Sequence, residues 1–209
     1  MVDTKDRLVE GALRVLREEG LTGASARVIA AAAGANQALV FYHFGSVDKL
    51  LAEACRCGTE ARVARYRERF AAVSSLRELL AVGRELHAVE RAEGNVAVLA
   101  QLLAGAQTDP RLAPVVADGL NLWIVEIETV LRRVTATLPI ADLIDVAGLA
   151  RAVASAFVGL ELYEGVDAAG GTRALDALEQ LAVLVEVIDE LGPVARRALR
   201  AKLRRTGAR

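Results

Sequence analysis

Apolar residues recur along this chain at the three- and four-residue spacing of helices, with no stretch of two-residue alternation bounded by turns. The expected fold is all-α. The first periodic segment covers 3–19, with Asp3 or Thr4 as cap, a stripe of Leu8, Val9, Ala12, Leu13, Val15 and Leu16, and Gly20 as its stop. Further helices are expected over 46–71, 76–92, 96–107 with Asn95 as cap, and 111–137 after Asp109-Pro110. Leu138-Pro139 breaks the last of these. Two apolar helices close the pattern, 142–166 and 172–191, with Ala169-Gly170-Gly171 as the flexible joint between them.

Residues 25–51, SARVIAAAAGANQALVFYHFGSVDKLL, place three helix starts and two tight turns in a short space. Ser25 caps a helix running to Ala33, Gly34 stops it, and Asn36 caps the next, from Gln37 to His43. Ser46, with Asp48 behind it, opens the long helix that follows. This is the layout of a helix-turn-helix. Val28, Ile29, Ala33, Leu39, Val40 and Phe44 can point inward together, and Ala30 lets the two helices cross closely. Gln37, Ala38, Phe41, Tyr42 and His43 are left on the outer face. That set suits a DNA groove better than a core: Gln pairs bidentately with adenine, a methyl meets thymine, and Tyr and His reach phosphate oxygens.

The segment GANQALVFYHFGSVDKLL, from Gly34 to Leu51, resembles the recognition-helix segment of the TetR family of one-component transcriptional regulators. Many of those relatives carry a lysine directly after the capping residue of the fourth helix, where this chain has Val47 and then Lys49 two positions on. The resemblance implies that Arg27, Gln37 and Ala38 read bases and that Tyr42 and His43 hold the backbone. The expected DNA-binding set is Ser25, Arg27, Asn36, Gln37, Ala38, Tyr42, His43 and Lys49. It also implies a dimer built from the last two long helices. Those helices are apolar around most of their circumference and so need covering on two sides. Leu149, Val153, Leu178, Leu181 and Val185 are the expected dimer contacts.

The organisation that follows is a helix-turn-helix DNA-binding domain over 1–50 and a helical effector-binding and dimerisation domain over 51–209. Large side chains set among many Ala and Gly can leave a pocket in the second domain, with Trp123, Phe157 and Glu161 as the ligand-binding candidates. Glu161 has two readings: a carboxylate in apolar surroundings that selects a donor or a positive charge, or a dimer-rim residue paired with Arg151. Trp123 is either core or a ligand platform. Arg56, Arg62, Arg65, Arg67 and Arg69 read either as a phosphate-facing or signalling connector or as a solvated face laced by pairs four residues apart.

Charge changes this picture little. The net charge is -1, but 194–209 holds seven Lys or Arg and no acid, leaving an acidic remainder. DNA binding must therefore rest on local geometry rather than bulk charge. The basic tail is expected to form a short helix after Pro193 that touches DNA or the protein body, or else to fray. Cys55 and Cys57 are two apart on a helix, so they cannot pair, and they read as free thiols in a reducing cytosol. No stretch approaches the roughly 20 uncharged apolar residues of a membrane span, and the expected location is the cytoplasm. No phosphate loop, nucleophile elbow or metal-ligand spacing is found, and His87 reads as a boundary histidine. No catalytic site, cofactor or metal is expected. The expected function is repression of transcription by a homodimer on double-stranded operator DNA, released by a small, largely apolar effector. The rival is an all-α small-molecule-binding protein or enzyme with no DNA role.

Overall fold

The computed structural model describes residues 3–138, 140–189, 192–195, 197–198 and 201–202. Among these the secondary structure is helical, with no strand. In chain order the helices are α1 (Thr4–Glu18), α2 (Gly20–Gly23), α3 (Ala26–Ala32), α4 (Gln37–Phe44), α5 (Val47–Ala72), α6 (Leu76–Ala92), α7 (Asn95–Ala106), α8 (Leu112–Thr135), α9 (Val146–Glu164) and α10 (Ala168–Asp189). A 3-10 turn covers Ala141–Leu143. The chain forms two compact units, one from Met1–Tyr66 with Ala88–Trp123, the other from Arg67–His87 with Ile124–Arg209.

In the first unit the stripe of α1 meets α3, α4 and the start of α5. Leu8, Val15, Leu16, Ile29, Val40 and Leu50 are fully buried, each such side chain contributing about 1.5–3 kcal/mol. Ala12, Ala26, Ala30 and Ala54 fill the close approaches among them, with Leu39, Phe44 and Val98 packed against the rim. Gly20 turns with a φ of 74°. Just past it, the Leu21 N–H donates to Gln101 Oε1 of α7 at 2.8 Å. Arg111 Nη1 reaches Asp48 Oδ2, in the first turn of α5, at 2.8 Å. Asn95 does not cap α7. The capping position is Gly94, at φ 75°, and the Asn95 amide instead donates to Glu93 Oε2 at 3.1 Å. Only two residues separate α6 from α7, and a left-handed glycine makes that turn.

In the second unit, Arg133 of α8 closes the end of α5. Its Nη2 donates to the carbonyls of Phe70 and Val73 at 2.7 and 2.8 Å, satisfying acceptors that a helix end leaves open. The arginines of α5 are exposed except for the half-buried Arg62, and most of them pair outside α5 rather than four residues along it. Arg56 does bond Glu53 and Glu60 within α5, at 3.0 and 2.6 Å. Arg67 and Arg69, however, pair with Glu126 and Glu85 in the second unit, and Arg62 and Arg65 pair with Glu90 and Glu93 in the first.

The α9–α10 pair differs from expectation at both ends. Ile144 and Asp145 are extended, so α9 starts at Val146, with Asp145 Oδ1 accepting the Gly148 N–H at 3.0 Å. The joint is Gly165-Val166-Asp167, and Ala169, Gly170 and Gly171 lie inside α10. The cause is Asp167, whose carboxylate accepts the Gly170 N–H at 2.9 Å and starts the helix early. A Cβ on Gly171 would stand 2.9 Å from the Glu164 side chain, so this glycine serves close approach. By length and composition α9 is apolar enough to cross a membrane, an exception to the sequence expectation, although it carries Arg151, Glu161 and Glu164. Pro139 and most of the basic tail lie outside the described residues; 193–195, 197–198 and 201–202 are helical.

Candidate nucleic-acid interface

Two local devices set α3 and α4. Ser25 Oγ accepts the Val28 N–H at 3.3 Å, and Asn36 Oδ1 accepts the Ala38 N–H at 2.8 Å, so each helix starts on a side-chain cap. Gly34 at φ 60° and Gly45 at φ 77° close the two helices in the left-handed region. Ser46 Oγ then accepts the Lys49 N–H at 3.2 Å and starts α5. With Val40 fully buried as its anchor, the short α4 has a fixed rotation about its axis.

That rotation leaves Gln37, Ala38, Phe41 and Tyr42 exposed, within about 140° of helical arc at 100° per residue. Tyr42 is 80% exposed and Phe41 49%. Ser25, Arg27, Asn36 and Lys49 are exposed as well. His43 is half-buried, its ring edge-on to Tyr42 at 4.9 Å and 6.3 Å from Phe44. The expected DNA-binding residues thus sit on the surface of one three-helix module. One support escaped sequence reasoning: Lys5 of α1 lies 5.8 Å over the Phe44 ring. No spacing along the chain signals that contact.

An exposed polar and aromatic helix in this arrangement can enter a major groove, about 12 Å wide, and present an amide, a methyl and one ring hydroxyl to base edges and phosphates. It offers no nucleophile–base pair. Among the described residues, no three His, Cys, Asp or Glu side chains could hold a metal ion.

The ligand candidates are divided between the units. Trp123, in the first, is half-buried and tilted against Tyr66 with ring centroids 6.2 Å apart. Phe157 and Glu161, in the second, meet His87, which is buried rather than at a boundary. Glu161 is only 5% exposed, and Arg151 donates to its own helix at the Ala147 carbonyl, 3.1 Å away. Sequence reasoning missed His87 and Glu164 as partners because 77 residues separate them. A separate open cleft of about 420 Å³ is lined by Arg77, Ala81, Asp176, Gln180 and Val183, none of them a predicted ligand residue.

Of the expected dimer contacts, Leu149 and Leu178 are exposed and Val153 is half-buried. The side chains of Leu181 and Val185 lie outside the described residues.

Residues 8–54 match the model of the bacterial regulatory proteins of the tetR family. No curated protein matches the chain. Among solved structures, a protein from Rhodococcus sp. described as a TetR-family transcriptional regulator is 21% identical, with a TM-score of 0.72, covering 91% of this chain and 100% of its own. The multidrug binding protein EbrR, complexed with imidazole, is 24% identical with a TM-score of 0.64, covering 87% and 96%. A transcriptional regulator from Saccharomonospora viridis, in complex with choline, is 20% identical with a TM-score of 0.64, covering 85% and 92%. At these identities the likeness is one of fold.

Proposed function

We propose that the chain, whose residues 8–54 match the model of the tetR family of bacterial regulatory proteins, is a DNA-binding transcriptional regulator of that family, and that it acts as a cytoplasmic homodimeric repressor released by a small molecule. The observation that carries this reading is the capped, anchored α4 with Gln37, Ala38 and Tyr42 exposed on it. Gln37, Ala38 and Arg27 read bases. Tyr42, His43, Ser25, Asn36 and Lys49 position the module on the phosphates. Two copies would meet half-sites roughly 34 Å or more apart on a pseudo-palindromic operator.

The domain responsible for DNA is 1–50, and the remainder, 51–209, serves the effector and the dimer. Exposed Leu149, Leu178 and Val187 on α9 and α10 support an interface there, because an apolar helix pair left in water would be costly. The effector is a small, largely apolar molecule with a nitrogenous donor or cationic head. Two considerations support that chemistry: the buried Glu161 beside Phe157, and the imidazole and choline found in two proteins of the same fold. Effector and operator weaken each other reciprocally, typically by about 1–3 kcal/mol.

Footprinting on the intergenic DNA adjoining the gene tests the reading. The expected result is protection of a two-fold symmetric site. An absence of any protected sequence there would return the chain to the rival reading of a small-molecule-binding protein without a DNA role.

A further inference from the structure

His87 of α6 and three side chains of α9 form a cluster that DNA binding does not use. The imidazole is buried; Nδ1 stands 3.5 Å from Glu161 Oε1, and Nε2 is in contact with Glu164 Oε2. Phe157 meets the same ring edge-on, with centroids 6.1 Å apart and planes at 89°. Gly83, one turn earlier on α6, lies beside the Phe157 ring: a Cβ there would make ordinary contact with it at 3.7 Å. Arg84, also on α6, is engaged by Asp176 of α10 at 2.7 Å.

A neutral imidazole has one N–H and one bare nitrogen. Each ring nitrogen faces a carboxylate, and a ring N–H is a donor that such an oxygen accepts. Glu161 in turn is almost wholly enclosed, and a buried carboxylate is stable only with a positive charge or a donor beside it. The α9 side of this cluster therefore consists of two carboxylates three residues apart and an aromatic ring. That is the combination that recognises compact organic cations.

We infer that Phe157, Glu161 and Glu164 form a receptor for a small organic cation of ammonium or azolium type, and that His87 is the internal occupant which such a ligand displaces. In the absence of ligand the His87 ring bridges the two carboxylates and ties α6 to α9. A ligand cation takes over the carboxylates and frees the α6 side chain, so that binding is coupled to a change at the seam of two helices of one unit. This deepens the effector reading above and rests on it.

Calorimetric titration of the full chain with tetramethylammonium chloride tests it. His87→Gln, which removes the competing ring, binds this probe at least tenfold more tightly than wild type, and adding Glu161→Gln abolishes the gain. Equal affinity in wild type and His87→Gln, binding indifferent to Glu161→Gln, or no binding by either overturns the inference. Should His87→Gln fail to fold, the wild type decides. The chain has two histidines, so the ring signals of His87 are assigned by NMR against His43→Gln. They shift on addition of the probe if the ring is displaced, and unchanged signals overturn the receptor. Operator binding is followed in parallel. Intact operator binding with no cation response counts against the receptor alone, whereas no operator binding by wild type counts against the regulator reading beneath it.

Discussion

Asn36 and Ala38 fix where α4 begins: the Asn36 side-chain oxygen accepts the Ala38 N–H at 2.8 Å while Asn36 itself stays extended. A helix of eight residues has little stability of its own, so its start decides whether Gln37 stands at the surface in a defined pose.

Asn36→Ala should therefore cost about 1 kcal/mol of stability, with Asn36→Asp close to neutral. Denaturant unfolding of the two variants measures this. Operator affinity should fall with Asn36→Ala, because the helix must be ordered before it docks.

Gln37→Ala and Tyr42→Phe should differ in kind. The first loses about 1–3 kcal/mol at one base pair and relaxes the preference there; the second weakens all sequences alike. Gel-shift titrations on operator and random DNA compare them. Equal losses on both DNAs for Gln37→Ala would remove it from base reading.

Leu178→Asp should yield monomers. Leu178 is 39% exposed on α10, and a charge at the centre of an apolar interface between copies would be left without a partner. Sedimentation velocity reads the outcome, and an unchanged mass would place the interface elsewhere.

The two thiols should react at different rates. Burial pushes the Cys55 thiol up to about 11, whereas Cys57, raised less, lies in a more open place. Thiolate is the reacting form, so a disulfide reagent at pH 8 should modify Cys57 first and Cys55 only slowly. Mass spectrometry of timed digests resolves the order.

Stability should fall slightly as pH rises just above the usual carboxylate range, because burial raises the Glu90 carboxyl against the opposing charge of Arg62. The folded state then holds a proton that the unfolded chain has released, so deprotonation favours unfolding. Melting temperatures of wild type and Glu90→Gln across pH 4–7 test this, with the slope reduced in the variant.

The helix-turn-helix was legible because its determinants are local. Ser25, Asn36 and Ser46 each bond a backbone N–H two or three residues on, so the sequence displays donor and acceptor together. The same reasoning failed where a competing local device won. Asp167 starts α10 before the glycines that resemble a joint, and Gly94 takes the position expected of Asn95. It could not reach the His87 cluster at all. Three residues of one face of α9 say nothing about which residue of α6 will lie against them. Nor could periodicity foresee that Arg65 and Arg67 would choose partners 28 and 59 residues away.

Gly34 and Gly45 flank α4 with positive φ, and a Cβ built on either would meet nothing within 4 Å. Room is therefore not the constraint at these turns; handedness is. An L-residue at either position is strained although the space around it is open, while a D-alanine introduced by chemical ligation would fit without distortion and would narrow the freedom of the unfolded chain. The pitch at which this protein offers its short helix to a partner is thus written in two stereocentres that the chain leaves blank.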